Sequence, residues 1–161
     1  MGRVRADQDL RPSVFDRLID AEPEVTSEPR VHRSARLAQL KDSVKRDLEW
    51  LLNSKRAPLH LTPGLHHLNA SLLTFGLPDF THSSLHRADD RRALQQAVEA
   101  AIRRFEPRLT AVTVTLVEGR EADRGLRFRI NATLNVEPTP EAVTFDSILE
   151  LSTKSFVFES E

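Results

Sequence analysis

A chain of 161 residues is long enough to fold as one domain with a hydrophobic core, and its 29% charged residues suit a domain with polar extensions. A formal net charge of −1 favours neither nucleic acid nor an anionic membrane as a partner, and the absence of cysteine excludes disulfides and thiolate chemistry. No apolar run approaches the roughly 20 residues of a membrane helix and no secretory signal is visible, so we expect a cytoplasmic protein without membrane insertion.

Residues 1–33 are predicted to form an arm that precedes the domain. Pro12 and Ser13 suit a helix start, and the apolar residues that follow at helical spacing are Val14, Phe15, Leu18 and Ile19. Residues 21–30 carry two prolines and three glutamates, too broken for a regular element. The arm is either a solvated linker or a short helix that docks on a partner, because such a helix needs a surface to cover its apolar face.

The first long helix is predicted over residues 34–53. Its apolar stripe recurs at steps of three and four residues and consists of Leu37, Leu40, Val44, Leu48 and Leu51. Ser34 is a candidate cap at its start, and Asn53 with Ser54 can end it. Because Trp50 and Leu52 flank the stripe, we expect the last turn to be wedged between other elements.

Residues 57–88 are predicted to be irregular, since proline and glycine recur there, yet the segment is so apolar that it must pack on something. A second helix is predicted over residues 89–105, with Asp89 or Asp90 as its cap and Pro107 ending it. Its buried side comprises Leu94, Val98, Ala101, Ile102 and Phe105.

The hydrophobic period then changes to two, which predicts strands over residues 112–116, 126–136 and 143–151 and a short apolar end at 156–158. The fold class is therefore α+β: an antiparallel β-sheet of three to four strands packed on one face by two main α-helices, with an N-terminal helical arm. We divide the chain into the arm, residues 1–33, and an α+β domain, residues 34–161.

The sequence signals for catalytic and metal-binding groups are weak. Five histidines fall within one loop-rich region, but they lack a metalloprotease-type carboxylate arrangement: His60, His66, His67, His82 and His86. Glu49 and Glu106 are the candidate carboxylate pair of a glycosidase, because each lies near a helix end where burial could raise one pKa, yet Arg108 favours the ionised form of Glu106 over a general acid. No nucleophile elbow or phosphate-binding loop occurs. The sequence predicts no catalytic residue, no cofactor and no metal.

The most informative segment is Glu106-Pro107-Arg108, where the second helix meets the first strand. Proline ends the helix, and the acid and the arginine can bond backbone groups freed there, or another chain. A structural salt bridge and a docking element are both open, because a rigidly held arginine beside a sheet suits either role.

Several segments together resemble TssE, the baseplate subunit of bacterial type VI secretion systems and a relative of the small baseplate wedge protein of contractile-tailed phages. The matching stretches run in order along the chain and are residues 13–18, 40–53, 75–80, 105–109, 126–136 and 143–153. The best of them are the Gly-Leu-Pro-Asp-Phe stretch at 76–80 and the Glu-Pro-Arg stretch at 106–108.

The resemblance implies a structural, non-catalytic subunit of a cytoplasmic baseplate at the inner face of the cytoplasmic membrane. Implied partners are the wedge proteins TssF and TssG, the TssK assembly, and the contractile sheath proteins TssB and TssC. Implied partner-docking residues are Glu106, Pro107 and Arg108, together with Phe15 and Leu18 of the arm. The lysozyme-like label that the family has carried finds no support in these residues.

An open sheet edge is a template for strand addition, and residues 143–151 and 156–158 are the candidate edge. We therefore expect the domain to seed sheath polymerisation through a strand edge near Arg108. The alternatives are a baseplate protein of a phage tail or related contractile injection particle and, in another class, a cell-wall glycosidase or a histidine–metal hydrolase.

Overall fold

A computed structural model of the protein describes residues 13–18, 32–58, 64, 66–69, 71–80, 87–117 and 125–159. Its helices are α1 (Val14–Leu18), α2 (Arg33–Asn53), α3 (His66–Asn69) and α4 (Ala88–Phe105), with a 3₁₀ turn at Leu72–Thr74. Its strands are β1 (Leu109–Val117), β2 (Gly125–Leu134), β3 (Glu141–Glu150) and β4 (Ser155–Phe158).

The four strands form one antiparallel sheet in the order β1-β2-β3-β4, which confirms the α+β class with an antiparallel sheet. β2 and β3 pair over their full length, from Gly125 opposite Glu150 to Leu134 opposite Glu141. β1 carries an irregularity between Thr110 and Thr113, where Ala111 has a positive φ of 51°. Such a bulge bends the strand locally and increases its twist.

The core lies between one face of the sheet and the two long helices, as the hydrophobic periods predict. Its least exposed members include Val44 and Leu48 of α2 and Val98 and Ile102 of α4, each 0% exposed. The sheet supplies alternate residues of every strand, among them Val114, Phe128, Ile130, Leu149 and Phe156. The opposite face of the sheet is uncovered in the described part of the chain and carries mainly threonine, arginine and acidic side chains.

The loop before α4 is anchored to the end of α2 through Gly76. Leu77 donates its N–H to the Ser54 carbonyl at 2.9 Å, and Arg56 donates to the Leu77 carbonyl at 2.8 Å. Gly76 has a φ of +94°, and a Cβ there would collide with the Ser54 carbonyl. The close approach of two backbones and the positive φ therefore both require glycine at this point of the Gly-Leu-Pro-Asp-Phe stretch.

Several details differ from the sequence prediction. α2 begins at Arg33 after His32, whose carbonyl accepts from Ala35 and Arg36, so Ser34 is not its cap. Likewise α4 begins at Ala88 without a side-chain cap, which leaves Asp89 and Asp90 in its first turn.

Three apolar side chains predicted to be packed are largely solvent-exposed. Trp50 of α2 is 60% exposed, although its neighbours Leu51 and Leu52 are buried as predicted. In the loop, Leu77 is buried, whereas Leu72 and Leu73 of the 3₁₀ turn are exposed. Hydrogen bonds within residues 68–75 hold this turn, so it forms without burying its leucines.

Some predictions fall outside the described residues. They concern Ile19, the broken stretch at 21–30, parts of the apolar loop, and the histidines His60, His82 and His86. The division into an arm and a domain at residue 33 remains a prediction.

Candidate docking site

Glu106 is a buried carboxylate at the junction of α4 and β1. Its N–H continues the helix by bonding the Ile102 carbonyl at 2.9 Å, and its own carbonyl accepts from Leu109, the first residue of β1. Pro107 between them is exposed and prevents the helix from continuing. The Glu106 residue is only 4% exposed, so its negative charge needs a partner inside the protein.

Arg108 provides that partner in a two-pronged contact. Its Nε donates to Oε1 of Glu106 at 2.7 Å and its Nη2 to Oε2 at 2.5 Å, while its backbone N–H also reaches Oε1 at 3.1 Å. Nη2 bonds Oδ2 of Asp47 on α2 as well, at 2.5 Å. The hydrogen bond with Glu106, helped by Asp47, raises the pKa of Arg108 above its ordinary value against the opposing effect of burial.

The ion pairs continue along α2 to the arm. Asp47 accepts through Oδ1 from Nε and Nη2 of Arg46, at 3.3 and 3.1 Å. The same Nη2 of Arg46 donates to Oδ1 of Asp16 in α1, at 2.6 Å. We call this series the charge chain, and in order its members are Glu106, Arg108, Asp47, Arg46 and Asp16.

Asp16 ties the short helix α1 to α2. Ser13 and Asp16 form a capping box, in which Asp16 donates its N–H to the Ser13 hydroxyl and the Ser13 N–H and hydroxyl donate to Oδ2 of Asp16. The hydroxyl of Ser43 donates to Oδ1 of Asp16 at 2.8 Å. Burial raises the pKa of Asp16, but the hydrogen bonds from Ser13, Arg46 and Ser43 outweigh it and hold that pKa well below its usual range.

Aromatic contacts complete the attachment of α1. The ring of Phe15 lies 6.0 Å from that of Trp50, and the guanidinium of Arg46 lies 5.3 Å from the Phe15 centroid. Around this contact Val14 and Leu18 are 75% and 77% exposed. The two arm residues of the predicted docking set therefore differ, because Phe15 holds α1 to its own domain while Leu18 faces solvent.

The outer edge of β1 is sealed by side chains of α4. Gln95 donates to the Val114 carbonyl at 2.7 Å, Glu99 accepts from the Val114 N–H at 3.1 Å, and Arg103 donates to the Val112 carbonyl at 2.7 Å. The three side chains are four residues apart and so lie on one helix face. They occupy backbone groups that an added strand would need.

The opposite edge is covered in one half only. β4 pairs with residues 147–150 of β3, and the side-chain amide of Asn53 bonds both the N–H and the carbonyl of Phe156, at 2.8 and 2.9 Å. The alternation of antiparallel pairing points the backbone groups of Ala142 and Thr144 away from β2. Within the described residues no hydrogen bond satisfies these groups. We call Ala142 and Thr144 the open half-edge.

The prediction that β3 forms an edge over residues 143–151 is therefore wrong for its second half, which lies between β2 and β4. The backbone groups of Ala142 and Thr144 have no partner among the described residues because β4 is only four residues long and its pairing ends where Glu159 donates to the Asp146 carbonyl. The placement of residues 156–158 at an edge is correct. Since Leu109, Leu134 and Glu141 stand opposite one another on three adjacent strands, Arg108 lies at the same end of the sheet as the open half-edge.

Two observations on the described residues bear on the glycosidase and metal-hydrolase alternatives. Both carboxylate oxygens of Glu106 are engaged by Arg108, which is unsuited to a proton donor in glycoside cleavage. In the described part of the chain no three histidine or acidic residues converge as metal ligands. None of the helices described there has the length and hydropathy to cross a bilayer.

Sequence reasoning placed the Glu106–Arg108 contact correctly but missed Asp47, Arg46 and Asp16. Asp47 and Arg108 are 61 residues apart, so no local pattern links them. The serine and aspartate at positions 13 and 16 did carry a signal, since this spacing is typical of a capping box.

The fold and its ion pairs define a small α+β structural domain whose charged residues join helix, strand and arm. Residues 38–139, well over half of the chain, match the family model of the baseplate wedge protein gp25. The chain belongs to that family, whose members are structural baseplate proteins. No curated protein matches the chain significantly.

Proposed function

We propose that this protein is a non-catalytic baseplate subunit of a type VI secretion system that joins the wedge complex and nucleates the contractile sheath. The open half-edge carries the proposal, because it offers unpaired backbone groups at the end of the sheet where Arg108 lies. An extended segment of a sheath protein, TssB or TssC, would add there as a further strand.

Glu106, Pro107 and Arg108 have a double role in this proposal. The buried Glu106 holds the Arg108 guanidinium in place, and 25% of the Arg108 side chain stays exposed, which leaves part of it accessible to a partner. Pro107 is exposed beside it. The segment is thus a staple of the fold that also borders the proposed docking edge.

The arm supplies the second contact, toward TssF, TssG or the TssK assembly. Leu18, Val14 and Trp50 are each at least 60% exposed and lie on or beside α1. A cluster of exposed apolar side chains of this kind is typical of a protein–protein contact. We place the assembled particle at the cytoplasmic face of the inner membrane.

A proline in the open half-edge tests strand addition without touching the staple. Ala142→Pro removes an N–H that has no described partner within the domain, and edge strands tolerate proline. We expect a folded protein that no longer supports sheath assembly from TssB and TssC, seen by electron microscopy. The matched control Ala142→Ser keeps the N–H and should assemble sheath normally. A folded proline variant that assembles full-length sheath would contradict the proposal.

The arm contact is tested by charging its exposed side chain. Leu18→Asp should abolish co-purification of TssF and TssG without lowering the melting temperature, because Leu18 is 77% exposed. Leu72→Asp is the control, since Leu72 is 86% exposed and lies in the 3₁₀ turn rather than in α1. Equal binding of TssF and TssG by the unsubstituted protein and both variants would show that the arm is not the wedge contact.

A phage tail or a related contractile injection particle is the second candidate, because the family match names a baseplate wedge protein without specifying the particle. The presence of type VI sheath and baseplate genes beside this gene would favour the secretion system. Phage tail genes in their place would favour the particle.

A further inference from the structure

Each of the two arginines of the charge chain has one donor, its Nη2, that two carboxylates share. Nη2 of Arg46 donates to Asp16 at 2.6 Å and to Asp47 at 3.1 Å, so a single arginine serves both the arm helix and α2. The other oxygen of Asp47 is held by Arg108, which in turn holds Glu106. Along the chain the charges alternate, and three carboxylates share two guanidinium groups.

This arrangement makes each link depend on its neighbours. A carboxylate that loses one of its two cations attracts the remaining cation more strongly, because ion pairs in a partly buried network are not additive. Asp47 therefore competes with Asp16 for Arg46, and the outcome depends on how much of Arg108 is available to Asp47.

The arm helix is suited to respond to this competition. α1 has five residues, far fewer than a helix needs to be stable alone, so its position depends on Asp16 and on the Phe15 contact. We propose that the attachment of α1 is coupled to the Arg108–Glu106 pair through Asp47 and Arg46. Loss of the Arg108–Asp47 ion pair weakens the attachment of α1 to α2. Loss of the Arg108–Glu106 ion pair leaves Arg108 bound to Asp47 alone and strengthens that attachment.

The coupling lies within this chain and does not rest on the proposed function. Its consequence is that any partner that takes hold of Arg108 also alters the exposed surface around α1, and linkage makes the effect reciprocal. A single element with two arrangements, docked and released, is the physical requirement for such a coupling.

Trp50 reports the docking of α1, because it is the single tryptophan of the chain and its ring contacts Phe15. The measurement is acrylamide quenching of Trp50 fluorescence in the full chain. Asp16→Asn removes the ion pair with Arg46 and defines the quenching constant of released α1. We expect Arg108→Gln to raise the quenching constant part of the way to that value, and Glu106→Gln to lower it below that of the unsubstituted protein.

The control is Arg129→Gln, which removes the same charge from a pair with Asp146 on the uncovered face of the sheet. It should leave Trp50 quenching unchanged. Circular dichroism establishes that each variant is folded. Should Arg108→Gln or Glu106→Gln fail to fold, Asp47→Asn decides the question, because Asp47 is 31% exposed and its loss leaves Arg46 to Asp16 alone.

Asp47→Asn should lower the quenching constant. The coupling is refuted if Arg108→Gln and Glu106→Gln leave quenching as it is, or if both change it in the same direction. It is equally refuted if Asp47→Asn leaves the constant unchanged or raises it.

Discussion

Two arginine–carboxylate pairs of this domain have nearly the same two-pronged geometry and opposite surroundings. Arg108 grips Glu106 at distances of 2.7 and 2.5 Å, with the Glu106 side chain 6% exposed. Arg129 grips Asp146 at 2.8 and 3.1 Å on the uncovered sheet face, where the side chains are 49% and 39% exposed. The comparison teaches that burial, more than the two-pronged hydrogen-bond geometry, decides what an arginine–carboxylate pair contributes to the free energy of folding.

Removing the buried carboxylate should have the largest effect. Glu106→Ala leaves Arg108 without its main partner and opens space at the junction of α4 and β1. We expect it to lower the free energy of unfolding by about 3 kcal/mol, at the low end for broken buried pairs because Arg108 keeps Asp47. Urea denaturation of the single variant measures the loss.

The double variant Glu106→Ala/Arg108→Ala is the control for that loss. It should cost less than the sum of the two single variants, since the second change removes the charge that the first leaves unpaired. Strict additivity would mean that the pair does not act as a unit.

A buried polar group without a partner extends the comparison to a third case. Ser147 of β3 is 1% exposed between Phe128 and Phe158 of the adjacent strands, and its hydroxyl has no hydrogen-bond partner among the described residues. Ser147→Ala should therefore raise the free energy of unfolding by about 1 kcal/mol, the typical cost of an unsatisfied buried group. Thermal melting detects the gain, and a lower melting temperature would show that the hydroxyl has a partner.

Asp16 is partly buried, between the two pairs in its surroundings, and its ion pair makes the attachment of α1 to α2 dependent on pH. Its pKa is depressed in the folded protein, so its contribution is complete above the ordinary aspartate pKa of about 3.9 and is lost as pH falls below that value. Trp50 quenching should be constant from neutral pH down to about 4 and increase in stronger acid. Asp16→Asn should lack this response, and a transition near pH 6 would point to another group.

The exposed pair should have the smallest effect. Arg129→Ala leaves Asp146 in contact with water and removes no buried contact, even though the hydrogen bond to Asp146 raises the pKa of Arg129. We expect an unchanged melting temperature at moderate salt. A loss comparable to that of Glu106→Ala would show that fork geometry outweighs burial after all.

The sequence predicts the hydrophobic core more completely than the ion pairs of the charge chain. Local periodicity was sufficient for the core face of α2 and α4 and for the alternation of β2 and β3, because helix and strand periods are written into neighbouring residues. Proline at 107 between two charges likewise marked the junction. The partners of Arg108 and Arg46 on other elements could not be read in this way, since Asp47 and Asp16 meet them only after the helices pack.

The sheet edges are a similar case. Whether residues 143–151 lie at an edge depends on where β4 pairs, and the seals at Gln95, Glu99 and Asn53 are side chains of helices far away in sequence. Trp50 shows the converse, because its apolar character predicted a buried position and the short α1 covers it only in part.

The two edges of the sheet also differ in whether their backbone groups are free to bind a further strand. Along β1 the backbone groups of Val114 are already occupied, whereas those of Ala142 and Thr144 on β3 have no partner among the described residues. Two copies that met through their open half-edges would satisfy each other and stop at a dimer, whereas a partner that brings a further free edge of its own can be extended. If strand addition at the open half-edge starts a polymer, as we propose, that polymer would extend from the β3 side of the sheet and leave the domain at its origin, because α4 already occupies backbone groups of β1.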